Sequence, residues 1–253
     1  MTQEKEELLL KNRLVELAKN AYYKSLIHYT GFLNLNDQNI LFQSIREMEA
    51  VKISSWGGYE LAERKMFAFE PKECYEEKQY PLCAIKVEVI NRKFSDELTH
   101  RDYLGAILNL GIDRSKIGDI LVEFPKAYVF CEEKIAGFLV DSLMKVKHTQ
   151  VRVTLEEPGQ VDITPKFQEI EGSVSSLRLD ALLPVALKGS RSRLSGLIAG
   201  EKVYVNGRLV TSSSYIVKEE DVVSVRGFGK FIFKEIVTET KKGRFYILIY
   251  KYV

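Results

Sequence analysis

At 253 residues, 45% apolar and 28% charged, the chain has the composition of ordinary globular domains and room for two or three cores. Cys74, Cys83 and Cys131 are widely spaced, His28, His100 and His148 are scattered, and no Cys-x-x-Cys pair occurs, which argues against a disulfide framework, a metal site or any cofactor held by such ligands. The net charge of +2 hides an asymmetry: from Ser173 to Val253, 14 Lys and Arg stand against 7 Asp and Glu, while the preceding residues carry 23 against 28. A basic end on an acidic body points to a polyanionic partner for that end.

The charged start Met1-Thr2-Gln3-Glu4-Lys5-Glu6-Glu7 lacks the apolar stretch of a secretory signal, and no apolar run approaches the roughly 18 residues that span a bilayer. The expectation is a cytoplasmic protein with no membrane partner. Leu10, Leu14, Leu17, Ala18 and Ala21 predict a helix over 5–29. Asn34-Leu35-Asn36-Asp37 offers a cap, and 40–48 continues as a second helix. Trp56-Gly57-Gly58-Tyr59 reads as a turn and 65–69 as a short strand.

A pattern with a topology follows. Residues 82–90 alternate as a strand with Ile85, Val87 and Val89 on one face. A helix over 95–110, strands at 120–123 and 127–131, a helix over 134–145 and a strand at 151–155 complete the order βαββαβ. That order is a ferredoxin-like split βαβ unit, also used by the RNA-recognition motif. No strand carries that motif's Lys/Arg-Gly-aromatic-Gly-aromatic fingerprint, so base stacking on the sheet is not expected. Glu156-Glu157-Pro158-Gly159 ends the unit, and a connecting strand is predicted over 164–170.

The stretch from Leu177 to Arg208 reads as two short helices and a strand entering an Asn206-Gly207 hairpin turn. Strands at 215–218, 222–226, 230–236 and 244–251 complete a small curled sheet. Ser190-Arg191-Ser192-Arg193 opens the second helix. A helix start offers free N–H groups and partial positive charge to a phosphate, and arginines add bidentate contacts. With Leu194, Leu197 and Ile198 facing the core, Arg191, Ser192 and Ser195 share one exposed flank at about 100° per residue. Ser190 can cap the helix. Arg178, in the first turn of the preceding helix, opposes the helix dipole; it reads as a ligand contact or as a partner of Asp180. Lys202 and Arg208 read equally as RNA contacts or solubilising charges.

Three other motifs point elsewhere and fail. His100-Arg101-Asp102 matches a kinase triplet, but position 107 is Ile107 and no phosphate loop accompanies it, so a capping cluster at a helix start is the alternative. Gly227-Phe228-Gly229 lacks the third glycine of a dinucleotide fingerprint, and Gly57-Gly58 lacks the Lys-Ser/Thr of a P-loop.

Arg178-Leu179-Asp180, Ser190-Arg191, Leu197-Ile198, Val203, Val205-Asn206-Gly207 and Asp221-Val222-Val223, in this order and spacing, resemble the S4-type RNA-binding domain. Glu201 stands where that family usually has glycine, with Gly200 one position earlier, which implies a shifted helix-ending bend and a carboxylate near the RNA face. His100 to Ala106, Leu110-Gly111-Ile112, Lys116-Ile117-Gly118-Asp119-Ile120, Phe228-Gly229-Lys230-Phe231 and Lys241-Lys242 resemble the YlmH family of bacterial S4-domain proteins.

The resemblance implies a non-enzymatic, monomeric, cytoplasmic protein of Gram-positive-type bacteria, often encoded beside cell-division genes. Its implied partners are ribosomal RNA, tRNA and the large ribosomal subunit carrying an obstructed peptidyl-tRNA, in ribosome-associated quality control. The expected RNA-binding residues are Arg178, Ser190, Arg191, Ser192, Arg193, Ser195, Lys202, Asn206 and Arg208. The expected architecture is α+β: a helical and mixed segment at 1–80, the ferredoxin-like domain at 81–157, a connecting segment at 158–172 and the S4-type domain at 173–253. Two other functions stay open at this point. An rRNA-modifying enzyme would need a catalytic Asp in its own domain or a Gly-rich loop after a strand, and neither is evident. A cell-division adaptor would suit the acidic N-terminal half.

Overall fold

The structure, a computed structural model, describes residues 3–74, 77–157, 159, 161, 165–240 and 243–252. Thr164, at the start of the expected connecting strand, and Lys241-Lys242 lie outside the described residues. The chain divides into two compact units, Met1–Thr164 and Pro165–Val253.

In the first unit, α1 (Gln3–Lys24) buries Leu14, Ala18 and Ala21 and stops before Ser25, whose φ is +53°. The helix expected to reach residue 29 is cut short because β1 (His28–Tyr29) pairs with Phe69 and Ala68 of β3 (Met66–Pro71). Hydrogen bonds from a distant strand here outweigh local helical spacing. The second helix starts earlier than its periodicity indicated. α2 (Leu35–Gln43) begins at the Asn34 cap, where Asn34 Oδ1 accepts from the Asn36 and Asp37 N–H groups. A 3₁₀ turn (Ile45–Met48) follows.

The sequence pattern missed β2 (Val51–Trp56), which pairs antiparallel with β3 in a sheet ordered β1-β3-β2. Trp56 therefore ends a strand, and the turn follows it. β3 does not alternate because both its faces are covered. Phe67 and Phe69 pack with Leu14, Leu41 and Met48, while Met66 packs with Phe32, Leu82 and Phe130.

The βαββαβ unit forms as expected, with shifted bounds. Its strands are β4 (Leu82–Val89), β5 (Ile117–Glu123), β6 (Lys126–Glu132) and β8 (Thr149–Glu156); its helices are α3 (His100–Leu108) and α4 (Glu133–Ser142). The order β5-β6-β4-β8, antiparallel throughout, is ferredoxin-like, and a short strand β7 (Lys145–Val146) extends it beyond β8. α4 ends at Ser142 because residues 145–146 join this hairpin. α3 starts at His100 rather than 95 because Asp102 accepts from the Thr99 backbone N–H and hydroxyl, each at 2.8 Å, fixing the cap. Ile85, Val87 and Val89 meet Tyr103, Ile107, Ile135 and Leu139 in the main core. The opposite face of the sheet is partly buried under Phe32 and Met66.

A half-buried polar cluster fastens the two layers of this unit. Arg64 donates to the carbonyls of Ile117 (2.9 Å), Phe32 (2.8 Å) and Arg114 (3.2 Å). Asp119 accepts from the Tyr59 hydroxyl and from the Glu63 and Arg64 N–H groups at 2.9, 2.7 and 3.2 Å. Burial pushes the Asp119 carboxyl up and the Arg64 guanidinium down from their ordinary values. The Gly118-Asp119 motif is thus a structural fastening.

The second unit is a six-stranded antiparallel sheet covered by two helices. Its order is β11-β10-β12-β13-β14-β9: β9 (Phe167–Val174), β10 (Val203–Val205), β11 (Arg208–Leu209), β12 (Val222–Val225), β13 (Gly229–Glu239) and β14 (Phe245–Tyr252). Residues 167–172, expected in a connecting segment, belong to this sheet: β9 pairs with β14 from Tyr252↔Phe167 to Phe245↔Val174. Residues 215–218, expected as a strand, form only an isolated bridge, Arg178↔Ile216. Their backbone instead bonds the entry to α5 (Leu179–Leu187), with Leu179 N–H donating to Tyr215 and Val217 N–H to Leu177. α5 and α6 (Arg191–Ala199) bury Leu179, Leu182, Leu183, Leu194 and Ile198 against Phe231, Phe233, Ile247 and Ile249. The β10–β11 turn is as expected. Asn206 and Gly207 have φ of +48° and +76°, the pair of positive values that a two-residue type I′ hairpin requires.

Candidate nucleic-acid interface

The starts of α5 and α6 are joined by one carboxylate. Arg178 is the residue preceding α5, one position before its expected place in the first turn. Its Nε donates to Asp180 Oδ1 at 3.0 Å and its Nη2 to Oδ2 at 3.3 Å. Arg191, the first residue of α6, donates Nη2 to the same Oδ2 at 2.6 Å. Both readings of Arg178 meet here: it is paired with Asp180, and the pairing sets it beside a second guanidinium. Burial raises the Asp180 carboxyl, and hydrogen bonds and charge from Arg191 and Arg178 more than offset this, so its pKa lies below the ordinary value. One carboxylate serving two guanidiniums leaves the group with a net positive charge.

Ser190 occupies the cap position of α6 with extended backbone, but its side chain makes no capping bond. Helix-start N–H groups therefore remain available beside the arginines. Arg191, Ser192 and Arg193 are exposed and Ser195 is half-buried, while Leu194 and Ile198 are buried, which reproduces the phase read from the sequence. Arg193 lies 5.5 Å from the ring centre of Phe228, in the turn between β12 and β13.

α6 ends in a Schellman motif. Glu201 N–H donates to Ile198 and Lys202 N–H to Leu197, and Glu201 itself takes the left-handed conformation, φ +57°. The bend is therefore not shifted by Gly200. A glutamate occupies the backbone position that favours glycine, and its exposed carboxylate stands beside exposed Lys202.

Asn206 is committed internally. Its Oδ1 accepts from Val222 N–H at 2.9 Å and its Nδ2 donates to Asp221 at 2.7 Å, tying the hairpin to β12. Arg208 is exposed on β11, at the sheet edge. Sequence reasoning missed Arg226. It lies 4.9 Å from the ring centre of Tyr204, and its N–H donates to the Lys202 carbonyl, so it sits beside Lys202. A cation at a strand end beside Gly227 was the only local signal. The arrangement suits phosphate recognition: convergent guanidiniums at an open helix start, with further cations, Lys202 and Arg226, past the other end of α6.

Comparison with known proteins places the chain in a family. Residues 76–158 match a family model described as "Putative RNA-binding domain in YlmH", and residues 177–223 match the S4 domain. The chain is 32% identical over 217 residues to the ribosome-associated protein quality control protein P2 of Bacillus subtilis (strain 168), covering 85% of this chain and 83% of that protein. The cell division protein ylmH from Streptococcus pneumoniae shares the fold over 64% of this chain and 97% of its own, with a TM-score of 0.50 and 21% identity. These domains and this relative are RNA-binding and quality-control types rather than enzyme families. Among the described residues no helix is long and apolar enough to cross a membrane. The chain belongs to the YlmH family of S4-domain RNA-binding proteins and is related to a protein of ribosome-associated quality control.

Proposed function

We propose that the protein acts, without catalysis, as a cytoplasmic monomer that binds ribosomal RNA and tRNA on large ribosomal subunits obstructed by a peptidyl-tRNA. The observation that carries this reading is the Asp180-bridged pair Arg178 and Arg191 beside the open start of α6. Ser190, Ser192, Arg193 and Ser195 follow on the first turns of α6, and Lys202 and Arg226, past its other end, add phosphate contacts. Arg208 adds charge at the hairpin, while Asn206 acts by holding the hairpin in shape. The name and extent of the Bacillus subtilis relative support the quality-control setting.

Cosedimentation tests the reading. The full chain should travel with large subunits that hold a peptidyl-tRNA and associate more weakly with empty subunits or intact ribosomes. Equal association with all three reduces the function to generic RNA binding.

A further inference from the structure

The first unit carries a cleft of about 470 Å³ beside α3, lined by Arg101, Gly105, Asn109, Lys145 and Lys147. Its charge is local. Residues 76–158 hold 12 Lys and Arg against 14 Asp and Glu, yet the cleft gathers three cations around a single carboxylate, Asp102. Lys147 is tied to that carboxylate at 2.8 Å, which fixes the β7–β8 turn against the start of α3. Arg101 and Lys145 are both exposed, and neither has an ion pair among the described residues. Two uncompensated cations thus flank an opening.

Gly105 leaves backbone uncovered within the opening, beside Ala106, Leu110 and Leu143. Arg101 and Gly105 of α3 and Asn109 at its C-cap recur every four residues and share one side of the helix. A Cβ built on Gly105 would meet nothing within 4 Å. Small residues at such places let another chain approach closely. The sheet face that a ferredoxin-like RNA-binding domain could offer is partly filled in this protein by Phe32 and Met66, whereas the helix side is open at Gly105.

We infer that this cleft is a second RNA site, in which Arg101 and Lys145 hold the phosphodiester backbone of a strand that passes over Gly105, with the Asn109 amide as a further polar contact. The inference rests on the RNA-binding reading above and gives a location to RNA contact within residues 76–158, the stretch that matches the RNA-binding family model. Two modest sites on one chain raise affinity for an RNA that reaches both.

The test uses the full chain and a labelled hairpin RNA, titrated at several salt concentrations. The double variant Arg101→Ala/Lys145→Ala should bind about tenfold more weakly, and its log affinity against log salt should flatten by roughly 1.4–1.8, the loss of two neutralised phosphates. Gly105→Glu should weaken binding further than Gly105→Gln, and both should melt no lower than the parent, because the position is open and helix glycine is unfavourable. Arg178→Ala/Arg191→Ala serves as the parallel arm. If only that arm loses affinity, the cleft is not an RNA site and the proposal for α5 and α6 stands. If only the cleft variants lose affinity, the cleft stands and the other proposal falls. Displacement of the RNA by adenosine monophosphate at similar concentration would overturn the RNA assignment in favour of a free nucleotide.

Discussion

Asp180 Oδ2 accepts from Arg191 at 2.6 Å and from Arg178 at 3.3 Å, so a single carboxylate oxygen sets the separation of two guanidiniums, one just before α5 and one opening α6. Holding long side chains in place before a ligand arrives lowers the entropy lost on binding. Asp180→Ala should therefore weaken RNA binding even though it raises the net charge by one, and should cost about 1–3 kcal/mol of stability through the lost charge-assisted bonds. Titration with a hairpin RNA at fixed salt checks the sign: tighter binding by the variant would mean that charge alone matters at this face.

Arg191→Ala should weaken RNA binding by roughly 1.5–3 kcal/mol, the scale of a hydrogen bond to a charged group. Arg178→Ala should act in the same direction, and Lys5→Ala should have no effect. Because Asp180 keeps one partner in either arginine variant, each should melt within about 1 kcal/mol of the parent. Unfolding of the second unit in Arg191→Ala would show a structural role instead.

Glu201 takes the left-handed backbone at the end of α6 that glycine adopts without strain. Glu201→Gly should stabilise the second unit by roughly 1 kcal/mol and raise its melting temperature by about 4–8 °C. It should also strengthen RNA binding modestly by removing a carboxylate beside Lys202. Calorimetry and the same RNA titration measure both, and a lower melting temperature would contradict the assignment.

Asp102 is held at a pKa of about 2 by the Lys147 ammonium and by hydrogen bonds from Thr99. A carboxylate depressed in the folded state contributes stability that is present above its unfolded value near 4. That stability is lost as pH falls from there toward 2. In Lys147→Ala the Asp102 titration, followed by carboxyl NMR, should move up toward the ordinary range. An unmoved midpoint would assign the shift to Thr99 alone.

A fragment of residues 165–253 should fold and bind RNA, with affinity falling steeply as salt rises. One that begins at Ser173 should not remain monomeric, because it lacks most of β9 and exposes the long edge of β14. Light scattering of the two fragments separates them.

What could be read in the sequence followed from how many neighbours each element has. β4 shows alternation because Ile85, Val87 and Val89 face one core, and the βαββαβ order came from it. β3 shows none, since both faces are buried, and β1 and β7 are too short to carry a pattern. β9 is legible as a strand but not as part of the second sheet, because Gln168, Glu169 and Glu171 leave it polar and its partner β14 lies more than 70 residues later in the chain. At the candidate interface the exposed flank of α6 was legible from helical phase. The sharing of Asp180 was not, because it depends on two helix starts meeting, and neither was Arg226, which gains its place only through the pairing of β10 with β12.

Because β3 is buried on both sides, two packed layers of the first unit share one strand. Phe69 supports the layer under α1, and Met66, three residues earlier, supports the sheet that contains Phe130. The Arg64 and Asp119 bonds cross the same seam. Two segments that look independent in the sequence should thus open as one cooperative block, with matching hydrogen-exchange protection in β3 and β6. Damage near α1 would be felt at the far sheet, where the α3 cleft is built.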